Sequence, residues 1–214
     1  MCSMTASTAI LRRPYRVLLM LVPALLLAAC TSLPAPKTVN QNIYVLEAPT
    51  SIPVAQVKHT SVLAIGEPQA RPGYDSDQIV YIQQPHELNY FVTSRWVAPP
   101  AHMLAPLLVQ VMQQTESFRA VVPAPGSVPA DIRLDTELVR LQQDFTTRPS
   151  RVQLTLRAQL IDVRGKRVLA VTQFDEVENA VSEDAYSGVG AANRALKRVL
   201  GQLADFCIRE STVH

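Results

Sequence analysis

Apolar residues recur along this chain with three different spacings, and each spacing predicts a different kind of element. Through the middle of the chain they alternate with polar residues, the two-residue repeat of strands with one covered and one wet face. Short β-branched runs at 43–46 and 62–65, bounded by proline-rich segments, predict two strands. Residues 78–82 and 88–92 flank Gln83-Gln84-Pro85-His86-Glu87, which predicts a hairpin with Pro85 in its loop, where a missing N–H does no harm. A further strand is predicted at 118–122, before the loop Pro123-Ala124-Pro125-Gly126. In 152–163, Val152, Leu154, Leu156, Ala158 and Leu160 share one face, while Arg151, Gln153, Thr155, Arg157 and Gln159 share the other. The runs 132–141 and 167–177 repeat the pattern, so the three predict an antiparallel meander. Arg164-Gly165-Lys166 supplies a tight turn, with Gly165 available for positive φ.

Two segments change to helical spacing. Pro99 and Pro100 stop any strand and suit a first helical turn, and Leu104, Leu107, Leu108 and Val111 follow, with Gln110, Gln113 and Gln114 on the other side. Pro106 implies that the first turn breaks there or that the regular helix starts near Ala105. From Asp184 onward Ala192, Leu196, Val199, Leu203 and Phe206 form an apolar stripe opposite Arg194, Lys197, Arg198, Gln202 and Asp205, with Ser182 as a candidate cap. These elements predict an α+β fold: a two-layer domain whose mainly antiparallel sheet is covered by two main helices.

The third pattern is the nearly unbroken apolar run 17–29, which follows Arg12, Arg13 and Arg16 and ends in Leu27-Ala28-Ala29-Cys30. A basic start, a short apolar middle and small residues before a cut are the parts of a secretory signal peptide. The run contains Pro23 and is too short for a membrane span, which needs about 20 apolar residues. A cysteine directly after the small pair makes a lipobox, in which the thiol accepts a diacylglycerol and Cys30 becomes the first residue after cleavage. Residues 1–29 are therefore expected to be signal, 30–41 a lipid-anchored tether carrying Pro34 and Pro36, and 42–214 one domain. Thr31 stands where aspartate favours inner-membrane retention in bacterial lipoproteins, so the expected location is the outer membrane, facing the periplasm.

Charge and chemistry narrow the functions further. The formal net charge of the 214 residues is +2, which gives no reason to expect nucleic acid. Once Cys2 leaves with the signal and Cys30 is acylated, Cys207 has no disulfide partner; its apolar neighbours mark it as a small buried residue. The four histidines, His59, His86, His102 and His214, lack metal-ligand spacing, and there is no Gly-x-Ser-x-Gly elbow. Gly188-Val189-Gly190-Ala191-Ala192-Asn193 imitates a dinucleotide loop but lacks the third glycine and follows Glu183-Asp184, so it reads as a mobile helix start. Asp175, Glu176 and Glu178 read as a solvated edge rather than a calcium site. No catalytic, metal or cofactor residue is expected.

The segments Gln78-Ile79-Val80-Tyr81, Pro85-His86-Glu87-Leu88-Asn89-Tyr90, Arg95-Trp96 with Pro99, and the earlier Tyr44-Val45-Leu46 resemble the signature of ABC-type transport auxiliary lipoproteins. That family includes the paraquat-inducible periplasmic lipoprotein, and the similarity extends over essentially the whole mature chain. The resemblance implies a partner of an ABC transporter whose substrate-binding component is an MCE-domain protein. Such systems move phospholipids or other hydrophobic molecules between inner and outer membranes. Gln83-Gln84 departs from the polar or glycine turn of many members. A docking role makes Gln83, Gln84, His86, Glu87 and, as an aromatic anchor, Trp96 the candidate partner contacts, with a homo-oligomer possible; for Trp96 a buried packing role is the favoured alternative. The rival is a carrier holding an acyl chain in a cavity between helix and sheet.

Overall fold

The computed structural model describes residues 40–211. The expected signal 1–29, Cys30 with its expected acylation, the expected tether through residue 39 and His214 lie outside the described residues. The elements are β1 (Asn42–Tyr44), β2 (Val62–Ile65), β3 (Gln69–Ala70), β4 (Gln78–Ile82), β5 (Asn89–Trp96), α1 (Pro100–Gln114), β6 (Ala120–Pro123), β7 (Ile132–Asp144), β8 (Arg151–Asp162), β9 (Arg167–Asn179) and α2 (Ala185–Glu210).

The meander is present and organises the rest. β7 pairs antiparallel with β8, and β8 with β9, over nearly their whole lengths. Val152, Leu154, Leu156, Ala158 and Leu160 are all buried, as their alternation requires, and α2 lays Ala192, Leu196, Val199, Leu203 and Phe206 into the same core. Each such leucine contributes roughly 1.5–3 kcal/mol by leaving water. Phe174 meets Phe206 edge-on at 6.2 Å, which fixes the helix over β9. The opposite face is polar: Arg71 and Arg157 both pair with Glu137, Arg133 with Asp135, and Arg151 with Asp144.

The other edge of β7 is shared in turn by β2, β3 and β4, all parallel to it. β2 also pairs parallel with β6, and β4 pairs antiparallel with β5, which pairs parallel with β1. The sheet is therefore mixed, although its longest pairings are antiparallel.

Several local expectations are corrected. α1 runs unbroken through Pro106, which lies on an exposed side, so the unpaired carbonyl one turn earlier is open to water. The cap of α2 is Asp184 rather than Ser182: its Oδ1 accepts from the Ser187 amide at 2.7 Å, while the Ser182 hydroxyl donates to Oδ2 at 2.6 Å. Lys166, with φ of 51°, takes the left-handed position assigned to Gly165. At Gly165 a Cβ would lie 2.3 Å from Asp162 Oδ2, so any larger residue would have to displace that carboxylate. Gly188 and Gly190 are inside α2, not in a mobile start.

Candidate docking surface

The sequence-predicted contacts sit on the hairpin of β4 and β5, where Val80 faces Tyr90 and Tyr81 faces Asn89. Gln83, Gln84, His86 and Glu87 are all exposed at its tip. His86 holds a φ of 69°, which turns the chain sharply, and Gln84 Nε2 donates to Glu87 Oε2 across the turn. The four polar side chains therefore share one end of one rigid element.

Behind the tip stand three half-buried rings that sequence reasoning missed. Tyr81 lies 4.7 Å from Phe91 and 5.7 Å from Phe145, and Phe91 lies 6.3 Å from Phe145. The Phe145 amide donates to the Ile82 carbonyl at 2.9 Å, so the end of β7 braces the hairpin. Phe145 is remote in sequence from the hairpin, and only the parallel pairing of β4 with β7 brings it there.

Trp96 is not part of this surface. It is 3% exposed and packs in the core, which agrees with the packing role expected for it and removes it from the candidate partner contacts. The cause is the length of β5, which continues past the expected end at residue 92 and carries Trp96 into register with Tyr44 of β1. Its amide donates to the Asp77 carbonyl at 2.8 Å.

A second surface feature lies where the described residues begin. An open groove of about 670 Å³ runs between β1 and the first turns of α2, lined by Ile43, Val45, Tyr186 and Asn193 among others. Val181 is 86% and Tyr186 75% exposed at its rim. Asn193 holds the passing chain, accepting from the Glu47 amide at 2.8 Å and donating to the Val45 carbonyl at 3.2 Å. Between α2 and the sheet, by contrast, the space beside Trp96, Gln143 and Gly188 is about 10 Å³, room for a single water at most.

The ionisable groups are held in structural roles. Burial raises the Asp144 carboxyl, but the hydroxyl and amide of Thr146 and the Arg151 guanidinium outweigh it and keep the group below its ordinary value. Glu178 is lowered by its bond to Arg194, opposed by desolvation, and lowered further by Arg198. Asp175 accepts from Gln173 and Thr155 on the other face of β9. Burial pushes the Cys207 thiol far up, leaving it protonated and inert. His59 stacks on Phe118 at 5.2 Å with Nε2 3.1 Å from the Ile208 carbonyl, and His102 is exposed. The acidic residues at the end of β9 thus serve arginines of α2 and polar neighbours, and no cluster able to hold a metal occurs among the described residues. No helix among them is long and apolar enough to cross a membrane.

Comparison with known proteins agrees with this architecture. The crystal structure of a Xanthomonas campestris protein is similar with a TM-score of 0.74 at 22% identity, covering 80% of this chain and 97% of that one. A second crystal structure, of an uncharacterized protein, is similar with a TM-score of 0.59 at 13% identity, covering 80% and 98%. At these identities the likeness establishes the fold. Among curated proteins none matches the chain. The family model for ABC-type transport auxiliary lipoprotein components matches residues 44–204, a span that holds the hairpin, the meander and most of α2. By that match the chain belongs to the family of ABC-type transport auxiliary lipoprotein components.

Proposed function

We propose that this protein is anchored in the outer membrane through Cys30, faces the periplasm, and docks onto the MCE-domain component of an ABC transport system that moves lipids or other hydrophobic molecules between the two membranes. It acts by binding protein rather than by turning over a substrate. The observation that carries the docking role is the contrast between the hairpin and the interior. Four polar side chains stand exposed on a tip braced by Tyr81, Phe91 and Phe145, whereas between α2 and the sheet the space beside Trp96, Gln143 and Gly188 is only about 10 Å³. Half-buried rings beside exposed polar groups are the composition of an interface, in which aromatic residues are enriched.

The open groove beside β1 favours a second reading, that of a lipid carrier. Its volume of about 670 Å³ falls within the range of small-molecule sites, and its rim is apolar. In that case the acyl chain lies on the surface rather than in an internal cavity.

One pair of variants separates the readings. Gln84→Lys with His86→Lys should weaken binding of the full-length protein to the MCE component at least tenfold, with no change in melting temperature, since both residues are exposed. Native mass spectrometry of the same protein in mild detergent should find no stoichiometric phospholipid. A bound phospholipid that disappears in Tyr186→Asp, together with unaltered MCE binding by the lysine variant, would establish the carrier instead.

A further inference from the structure

The loop between β7 and β8 leaves the sheet beside the hairpin tip. Asp144, the last residue of β7, is in register with Ile82, the last of β4, and the Phe145 amide donates to the Ile82 carbonyl. Gln83 opens the tip from one of these paired strands and Phe145 opens the loop from the other. Arg148 follows three residues after Phe145, at most about 11 Å of extended chain away. The loop is held at both ends. Asp144 Oδ1 accepts from the Thr146 amide at 2.9 Å and from its hydroxyl at 2.5 Å. The Ser150 amide donates to Glu183 Oε1 at 2.9 Å, its carbonyl accepts from the Ala180 amide at 2.8 Å, and its hydroxyl accepts from Gln143 Nε2 at 2.9 Å. Residues 146–149, between these clamps, are exposed.

The same bonds use up the acids nearby. Asp144 Oδ2 is shared by Arg151 at 3.3 Å and Gln153 at 3.0 Å, Glu183 is taken by Ser150, and Glu87 on the tip by Gln84. Arg148 is exposed and makes no ion pair or hydrogen bond among the described residues. The tip, 83–88, and the loop, 145–150, contain no other arginine or lysine. One guanidinium therefore stands without an acid on a braced loop that begins at the ring cluster of Tyr81, Phe91 and Phe145. Arginine beside aromatic residues is the composition of the few contacts that carry most of a protein interface. An anionic lipid surface is met differently, by clusters of about 4–8 basic residues.

We propose that the β7–β8 loop is the second half of the docking surface and that Arg148 takes a carboxylate from an acidic segment of the MCE component. This rests on the reading of the hairpin tip as the docking site. The planar guanidinium fork matches a carboxylate with two parallel hydrogen bonds, a geometry that lysine does not reproduce. The tip then supplies neutral polar contacts, the rings supply apolar area, and Arg148 supplies the one charge that selects an acidic partner over a basic one.

The test measures binding of the full-length protein to the MCE component in detergent free of phospholipid. Arg148→Glu should weaken binding about tenfold, the scale of one strong interface contact, with the melting temperature unchanged because the side chain is exposed. The gap between Arg148→Glu and the unsubstituted chain should shrink as salt rises from about 0.1 M to about 1 M, over which the screening length falls from about 10 to about 3 Å. In Arg148→Lys a zero-length carbodiimide, which joins an amine to a carboxylate, should link position 148 to an Asp or Glu of the MCE component. Weakening by Gln84→Lys with His86→Lys but not by Arg148→Glu would overturn this inference and leave docking by the hairpin intact. Unaltered binding in all of these variants would overturn both. An effect of Arg148→Glu that appears only when an anionic phospholipid is added would assign Arg148 to a lipid headgroup and overturn the inference as well.

Discussion

Gly188 and Gly201 both lie inside α2, yet their surroundings predict opposite responses to the same substitution. Around Gly201 there is nothing within 4 Å of an added Cβ, so Gly201→Ala should raise stability by up to about 1 kcal/mol through helix propensity. At Gly188 the Cβ would lie 2.2 Å from Gln143 Oε1, and the buried Gln143 is held by its bond to Ser150 at 2.9 Å. Gly188→Ala should therefore lower stability, and chemical denaturation of the two variants checks the sign of each. The sequence showed these glycines but not the glutamine that crosses over one of them. Asp144 makes a second prediction. Its pKa is lowered on folding, so the unfolded chain binds more protons in the ordinary carboxylate range near pH 4, and stability must fall as pH drops through that range. Asp162, Asp175, Glu178 and Asp184 act in the same direction. Thermal melts between pH 7 and pH 3 should show this loss, and Asp144→Asn should flatten part of it.

At the scale of elements, what was legible followed from period and what was hidden came from pairing at a distance. The faces of β8 were evident from Val152 to Leu160 because each strand states its own covered side. That β2, β3 and β4 share one edge of β7 in parallel was not, since parallel partners are set by contacts far apart in sequence. This is why the tip residues 83–87 could be read in advance while Phe145 behind them could not, and why the pairing that buries Trp96 against β1 was not evident. The helices carry two predictions. Leu203 is fully buried under α2, so Leu203→Ala should cost about 2–5 kcal/mol in a denaturant melt. Pro106→Ala should restore an intrahelical hydrogen bond in α1 and raise stability by up to about 3 kcal/mol, measured the same way.

For the whole molecule, the proposed anchor and docking tip would together define how the protein works. Cys30→Ser should abolish acylation and signal cleavage together, and mass spectrometry of the mature N-terminus distinguishes this from cleavage elsewhere. Anchoring by acyl chains requires more than one, at about 0.8 kcal/mol per buried methylene, so the unacylated variant, still carrying its uncleaved signal, should fail to reach the outer membrane. The family was legible from the hairpin signature because those residues are held together by one local turn. The proposed partner surface depends on how the turn stands over the aromatic cluster, which the sequence alone does not state. The central claim is that the tip meets the MCE-domain protein, and the most direct measurement is site-specific photocrosslinking in living cells from a reactive group placed at His86. The account predicts a single dominant adduct that mass spectrometry identifies as the MCE component, absent when the group is moved to Val177, which is also exposed but on β9. Adducts to phospholipid alone, or equal capture of the MCE protein from both positions, would contradict it.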